Sequence, residues 1–128
     1  MKLDGKVTVI TGAASGIGAA CAQAFSNAGS QVAVVDVDFE GAKQVADAVG
    51  GIAIHCDLGD PSAIETMAGQ VETQLGPTEI LFNNAGIGSG SGVFDSPIEE
   101  WQRQWDVNLM SHVHAVRAVL PGLSLIHI

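Results

Sequence analysis

The sequence predicts an α/β fold built on a doubly wound parallel sheet, and three observations support this. Short apolar runs alternate four times with segments of helical periodicity, the pattern of a parallel sheet with helical crossovers. The second run, residues 31–35, is almost continuously apolar, as expected of a strand covered on both faces. Right-handed crossovers place helices on both sides of the sheet, and with the first strand central the order is 3-2-1-4. We expect the sheet to be truncated after the fourth strand and the helix that follows it.

Glycine, proline and capping residues mark the ends of the predicted elements. The strands are expected at residues 6–11, 31–36, 52–56 and 80–82. The first three helices are expected from Gly16 to Gly29, from residue 40 to a Gly50-Gly51 stop, and from Asp60-Pro61 to Gly76-Pro77. Ser96-Pro97 is expected to cap a long last helix that Pro121-Gly122 ends.

All four predicted helices carry apolar stripes at helical spacing, which predict their inward faces. The stripe of the first helix comprises Ile17, Ala20, Cys21, Ala24, Phe25 and Ala28. The stripe of the second helix comprises Ala42, Val45, Ala46 and Val49, and that of the third comprises Ile64, Met67, Ala68, Val71 and Leu75. The stripe of the last helix includes Trp101, Trp105, Leu109, Val116 and Leu120.

The composition argues against several classes of partner. Fourteen acidic and five basic residues give a net charge of −9, which opposes binding to nucleic acid or to an anionic membrane. No apolar run reaches transmembrane length and no secretory leader is recognisable, so a cytoplasmic location is expected. Cys21 and Cys56 form no CxxC motif, and His112 and His114 lack the i, i+4 spacing of a helical zinc site, so we expect reduced thiols and no metal.

The segment from Thr11 to Gly18, TGAASGIG, joins the first strand to the first helix. A glycine turn in this context brings bare backbone N–H groups and a helix N-terminus up to a phosphate. Gly12, Gly16 and Gly18 would serve the tight turn, the phosphate approach and close helix packing. A purely structural strand-to-helix turn is the alternative.

Asp36 ends the second strand, 24 residues after Gly12. In a dinucleotide-binding fold a carboxylate here accepts hydrogen bonds from the adenosine ribose. A 2′-phosphate would be repelled by roughly 4 kcal/mol per charge pair before discounting, at about 4 Å and an effective dielectric near 20. The residue therefore predicts NAD rather than NADP, with a solvated loop acid as the alternative.

The TGxxxGxG turn and the later segment Asn83-Asn84-Ala85-Gly86 together resemble the short-chain dehydrogenase/reductase family, in its single-domain branch. The resemblance covers residues 3 to about 122. It implies a Rossmann-type domain over residues 1–122, NAD as cofactor, and hydride transfer between a secondary alcohol and a ketone as the small-molecule substrate pair. It also implies a homodimer or homotetramer for the parent protein.

The resemblance assigns roles residue by residue. It implies cofactor binding by Gly12, Ser15, Gly16, Ile17, Gly18, Asp36, Asp57, Leu58, Asn84, Ala85 and Gly86. Asp57 with the Leu58 backbone would hold the adenine amino group, and a loop or capping role is the alternative for Asp57. Asn84 would tie neighbouring strands together through its amide. Asn108 would take a catalytic role by distorting its helix and freeing a backbone carbonyl that holds a water, whereas a solvent-facing Asn is the alternative.

The family's catalytic tyrosine has no counterpart, because the chain contains no tyrosine. We therefore expect the chain to be inactive alone. A non-catalytic, redox-sensing dinucleotide module and a non-functional fragment are the alternatives. Residues 123–128, LSLIHI, read as the translation of a transposon-derived sequencing adapter and are expected to be a non-native tail.

Overall fold

The computed structural model describes residues 2–126, with their side chains as far as Leu123. Over that range strands and helices alternate as an α/β fold. The elements are β1 (Val7–Thr11), α1 (Gly16–Asn27), β2 (Gln31–Asp36), α2 (Phe39–Val49), β3 (Ile52–His55), α3 (Pro61–Leu75), β4 (Ile80–Phe82), α4 (Ile98–Trp105), a π-helical segment (Asp106–Met110) and α5 (Ser111–Ile126).

The four strands form one parallel sheet in the order β3-β2-β1-β4, as predicted. In the register of the sheet, Ile10 of β1 lies opposite Val34 of β2 and Phe82 of β4. The carboxyl ends of β1 and β4 are therefore neighbours. The glycine turn after β1 and the NNAG segment after β4 meet at this edge.

Two apolar layers cover the two faces of the sheet, which makes it doubly wound. One layer packs β-strand residues such as Val9 and Val35 against α3 and α5. The other packs Ile10 and Val34 against α1 and α2. β1 and β2 contribute to both layers because successive strand residues point to opposite faces. Central β1 and β2 are thereby fixed from both sides.

Most predicted element ends are confirmed. Asp60 is the N-cap of α3 and accepts a hydrogen bond from the Ser62 N–H at 2.9 Å. Gly29 follows α1 with a φ of +91°, and Gly50 caps α2 with a φ of +71°. Both adopt the left-handed conformation that favours glycine at helix ends.

The predicted inward face of α1 is confirmed only at Cys21 and Phe25, which pack against the core, and is wrong at the other four residues. Ile17 is 72% exposed, and Ala20, Ala24 and Ala28 are also exposed. The buried residues of this helix are Gly18 and Ala22. Gly18 sets the face because only a residue without Cβ fits against the backbone of Gly12 and Ala13 in the turn after β1, and the residue four positions later lies on the same side.

The predicted apolar stripe of the last helix also faces outward. Trp101 and Trp105 are 48% and 55% exposed, and Leu109, Val116 and Leu120 are exposed as well. The residues that pack inward are Val107, Ser111, Ala115 and Val119. The π-helical segment separates α4 from α5, so one helical period does not run through the whole stretch.

Both predicted ends of the last helix are corrected too. Pro97 is the N-cap of α4, without a side-chain cap bond, and the Ser96 hydroxyl instead donates to the Gly92 carbonyl at 3.0 Å. Pro121 lies inside α5, which continues to Ile126. Proline's fixed φ near −65° suits a helix, although its ring removes one backbone N–H donor from the helix interior, and the backbone at Gly122 packs beside Pro77.

The predicted tail, residues 123–128, lies only in part within the described chain. Leu123 to Ile126 continue the backbone of α5, whereas His127 and Ile128 lie outside the described residues. In the described range, none of the helices combines the length and apolar character that crossing a membrane requires.

Candidate functional site

A cleft of about 430 Å³ opens at the carboxyl ends of the strands. This is the edge at which open parallel sheets bind ligands, where the strand order reverses. The predicted site residues that line it are Gly12, Ser15, Gly16, Ile17, Asp36, Asp57, Leu58, Asn84, Ala85 and Gly86. The lining residues that sequence reasoning missed are Val37, Cys56, Ile87, Arg103 and Val107.

The glycines of the first turn are required by close contacts as well as by backbone conformation. Gly12 has a φ of +64°, and an added Cβ would lie 2.7 Å from the Cα of Ala85. At Gly18 an added Cβ would collide with the Gly12 carbonyl oxygen and lie 2.7 Å from Nδ2 of Asn84. Both positions therefore hold the turn against the segment that follows β4.

Gly16 differs from these two because it borders open space. Its φ is +57°, and no atom lies within 4 Å of an added Cβ. α1 begins here, its N-cap Ser15 makes no side-chain cap bond, and its first turn carries no acidic residue. The first N–H groups of a helix have no partner within the helix and carry the positive end of its dipole. This corner of the cleft is suited to an anion.

Asp36 joins the end of β2 to the glycine turn. Its Oδ2 accepts from the Ala14 N–H at 3.0 Å and its Oδ1 accepts from the Asp38 N–H at 3.0 Å. Each carboxylate oxygen has two lone pairs, so each can accept one further hydrogen bond from the cleft. The carboxylate is thus a structural tie that keeps acceptor capacity at the cleft.

Asn84 links β4 to β1, as predicted for an amide at a strand end. Its Nδ2 donates to the carbonyls of Thr11 at 3.0 Å and Gly12 at 3.2 Å. In return the Thr11 hydroxyl accepts from the backbone N–H groups of Asn84 and Ala85. The Thr11 side chain is buried, so this network fixes the floor of the cleft.

Asn108 lies in the π-helical segment, which confirms a local distortion of the helix at this residue. Its side-chain amide makes two hydrogen bonds to the backbone of Ile87. The Oδ1 atom accepts from the Ile87 N–H at 2.7 Å, and Nδ2 donates to the Ile87 carbonyl at 2.9 Å. Asn108 is itself exposed, so the alternative of a solvent-facing Asn is not contradicted. Its side chain positions Ile87, which lines the cleft, and its catalytic role with the water-binding carbonyl stays a prediction.

Asp57 forms an ion pair that the sequence did not predict. The Arg103 guanidinium donates from Nη2 to Oδ1 at 2.9 Å and from Nη1 to Oδ2 at 3.3 Å, and the Gly59 N–H donates to Oδ1 at 2.9 Å. The hydrogen bond from Arg103, followed by that from Gly59, holds the pKa of the Asp57 carboxyl below its ordinary value. Arg103 is 46 residues away in sequence, so no local pattern signals the pair.

Cys56 lies at the bottom of the cleft as a buried, unpaired thiol. Burial, with a smaller contribution from the charges of Asp57 and Asp60, raises the pKa of this thiol to about 11. At neutral pH the group is a thiol rather than a reactive thiolate. It contributes packing and not chemistry to the site.

A metal ion was not predicted, and the histidines do not suggest one. In the part of the chain that the structure describes, no three His, Cys, Asp or Glu side chains are grouped so as to hold a metal ion. His112 is half-buried, and its Nε2 has no hydrogen-bond partner among the residues that the structure describes.

Known proteins with similar sequences indicate the family to which this chain is related. The model of the short chain dehydrogenase family matches residues 6–125. The 7alpha-hydroxysteroid dehydrogenase of Escherichia coli K12 is 36% identical over 128 residues, covering 96% of this chain and 50% of that protein. The D-threitol dehydrogenase of Mycolicibacterium smegmatis is 36% identical over 113 residues, covering 84% of this chain and 44% of that protein.

The chain belongs to the short-chain dehydrogenase/reductase family. Its Rossmann-type fold also matches solved members of the family. A metagenomic short-chain oxidoreductase in complex with NADP superimposes with a TM-score of 0.86 at 34% identity, over 96% of this chain and 58% of that one. A Burkholderia phymatum short chain dehydrogenase/reductase in complex with NAD gives 0.89 at 32% identity, over 94% and 45%.

This short-chain dehydrogenase/reductase chain spans about half the length of the curated relatives that it matches. The described residues include the glycine turn, Asp36 and the NNAG segment of the cleft. The activity of the whole protein therefore has to be inferred from the half that is present.

Proposed function

We propose that this chain is the dinucleotide-binding half of an oxidoreductase that prefers NAD to NADP. The observation that carries the proposal is the contact between Asp36 and the glycine turn. The Ala14 N–H holds the carboxylate beside the open corner at Gly16. A sugar diphosphate could place its phosphates on the helix N-terminus and its ribose on the carboxylate.

Successive groups of residues along the cleft match successive parts of such a dinucleotide. Ser15, Gly16 and Ile17 would receive the pyrophosphate, and Asp36 would accept from both hydroxyls of the adenosine ribose. Asp57 and Leu58 would hold the adenine. The small residues Ala85 and Gly86, on the other side of Gly12, would lie against the second ribose.

The preference for NAD rests on charge. Asp36 would face a 2′-phosphate with like charge, and none of residues 13–18 or Val37 is basic. Arg103 lines the same cleft, but both of its Nη groups are engaged by Asp57. The solved relatives include one with NADP and one with NAD, so the family alone does not choose between them and the proposed preference rests on the charge of Asp36.

In the whole protein we propose hydride exchange between a secondary alcohol and a ketone. Relatives over this half include dehydrogenases of a 7alpha-hydroxysteroid, of D-threitol and of meso-2,3-butanediol. The dinucleotide, when bound, supplies or accepts the hydride, and the residues described here bind and orient it. Because no tyrosine is present among the 128 residues, we propose that the chain alone binds without turnover.

We also propose self-association of the parent protein and a cytoplasmic location. Self-association is supported by the outward stripe on α4 and α5, where Trp101 and Trp105 are about half-exposed. Exposed apolar stripes of this kind are typical of protein–protein contacts.

Calorimetric titration of the chain with NAD and with NADP tests the cofactor proposal. We expect NAD to bind at least tenfold more tightly. Asp36→Asn keeps the shape of the side chain but removes its charge, so NADP should bind it about tenfold more tightly than it binds the unaltered chain. Asp47→Asn, an exposed change on α2, is the matched control and should leave both affinities unchanged. Tighter binding of NADP by the unaltered chain would overturn the preference.

A non-catalytic dinucleotide module is the second candidate, favoured by the missing tyrosine. A turnover assay with secondary alcohols, run beside the titration, separates binding from chemistry. Oxidation of an alcohol by this chain alone would show that a residue other than tyrosine serves as the base that takes the hydroxyl proton. A chain that binds no dinucleotide and unfolds without cooperativity would identify a non-functional fragment.

A further inference from the structure

The ion pair between Asp57 and Arg103 occupies one end of the cleft, beside Leu58 and Val37. Both side chains remain partly exposed, at 42% and 47%. An exposed pair of this kind contributes little to stability. Its place in the cleft wall suggests that it serves the ligand instead.

The three hydrogen bonds to Asp57 are unevenly divided between its two oxygens. Oδ1 accepts from Nη2 of Arg103 and from the Gly59 N–H, both at 2.9 Å. Oδ2 accepts only from Nη1 of Arg103, at 3.3 Å. Since each oxygen has two lone pairs, Oδ1 is saturated and Oδ2 keeps one acceptor site.

Gly59 gives an independent sign that this arrangement is built into the chain. Its φ is not in the left-handed region, so its backbone conformation does not require glycine. An added Cβ would overlap Nη1 of Arg103 and lie 3.0 Å from its Cζ. The bare Cα at residue 59 is what allows the guanidinium to lie flat against the loop after β3.

We propose that Arg103 is a positioning residue that fixes Asp57 so that Oδ2 recognises an exocyclic amino group, which makes the site selective for an aminopurine. The inference rests on the proposed dinucleotide function. The planar guanidinium holds both carboxylate oxygens in one plane, which a single donor cannot do. Adenine offers an amino donor at its position 6, whereas hypoxanthine offers a carbonyl oxygen that the carboxylate repels.

The test compares NAD with nicotinamide hypoxanthine dinucleotide, which differs at that group, by calorimetric titration. We expect the unaltered chain to bind NAD about tenfold more tightly, the value of one charge-assisted hydrogen bond at the low end of its range. Arg103→Met keeps an unbranched aliphatic side chain and removes the guanidinium. In that variant the ratio of the two dissociation constants, hypoxanthine dinucleotide over NAD, should fall to about threefold or less because the carboxylate is no longer fixed.

Gly59→Ala is a second variant that displaces the guanidinium without altering its chemistry, and it should lower the ratio in the same way. Gly69→Ala, at an exposed glycine on α3 with no atom within 4 Å of the added Cβ, is the matched control and should keep the ratio. A ratio of dissociation constants reports recognition, whereas a merely structural role would move the melting temperature and leave the ratio unchanged.

The outcomes separate the two proposals. If the unaltered chain binds NAD but both dinucleotides bind equally, or if Arg103→Met and Gly59→Ala keep the tenfold ratio, the role of Arg103 is wrong and the dinucleotide function stands. If the unaltered chain binds neither dinucleotide, the proposed function fails and this inference fails with it.

Discussion

The two walls of the cleft are built in different ways. The first wall consists of β1, the glycine turn, α1 and β2, and its inward residues, such as Ile10 and Ala13, are fully buried. The second wall consists of residues 86–97, α4 and the π-helical segment. Its apolar residues are largely exposed, with Phe94 at 99% and Ile98 at 77%.

Different interactions hold the two walls in place. Tight backbone packing fixes the first wall, where neither Gly12 nor Gly18 has room for a Cβ. A few polar contacts fix the second: Asn108 with Ile87, Arg103 with Asp57, and Ser89 with Glu100. We therefore expect substitutions to cost most in the first wall and least at the outer surface of the second.

The largest effect is expected at Gly18. Gly18→Ala forces a Cβ onto the Gly12 carbonyl and the Asn84 amide, and overpacking of this kind costs roughly 3 kcal/mol. Chemical denaturation measures the free energy of unfolding. Gly69→Ala on α3 has open space around it and should instead stabilise the helix by about 0.5–1 kcal/mol. Equal effects of the two changes would contradict the difference between the walls.

A smaller effect is expected at Asn108. Asn108→Ala removes two hydrogen bonds to the Ile87 backbone, and at an exposed site their loss should cost about 1–2 kcal/mol. In the same variant, hydrogen exchange of the Ile87 amide should be faster than in the unaltered chain. Asn27→Ala removes one exposed bond at the end of α1 and is the control, with an expected cost of about 0.5 kcal/mol or less. An unchanged Ile87 exchange rate would show that Asn108 does not hold this wall.

Arg103→Met should cost about 0.5 kcal/mol at neutral pH, because the pair with Asp57 is half-exposed. Arg103 lowers the pKa of Asp57 in the folded chain. The pair therefore stabilises the fold above the carboxyl's unfolded pKa of about 3.9, and that contribution is lost as the pH falls through the lowered folded pKa. NMR titration of the Asp57 carboxyl should show its pKa rising in the variant. If the variant is still less stable than the unaltered chain below pH 2, the lost free energy of unfolding comes from packing instead.

The smallest effect is expected at Phe94. Its ring is almost fully exposed, so Phe94→Ser should change the free energy of unfolding by less than about 0.5 kcal/mol. Denaturation at matched concentration checks this. A loss above 1 kcal/mol would mean that the loop packs in solution in a way that its exposure does not indicate.

The sequence predicted the first wall well because its information is local. The strand, the glycines and the first helix are contiguous, and each glycine reports a constraint on its own backbone. The NNAG segment was placed correctly because parallel strands bring their carboxyl ends to one edge. The alternation of elements and the handedness of crossovers predicted a doubly wound parallel sheet, and its order followed once the first strand was taken as central, as in dinucleotide-binding folds.

The second wall was predicted less well because its contacts are distant in sequence. The partners of Asp57 and Ile87 are 46 and 21 residues away, and no spacing signals them. The stripe that includes Trp101 and Leu120 was assigned to the core because periodicity shows that a helix has an apolar face, not what that face meets. Ser96 was assigned as a cap although its hydroxyl bonds within its own loop.

The π-helical turn at Asp106–Met110 has a consequence for how the chain can change. Each residue of an α-helix advances the rotation by about 100°, and a π-helical turn accommodates one extra residue between two stretches of α-helix. A one-residue deletion inside the turn can therefore restore regular α-helix while α5 keeps its orientation. The same deletion in α4 has no extra residue to remove, so it would rotate Ser111, Ala115 and Val119, now buried, toward solvent and should be far less tolerated.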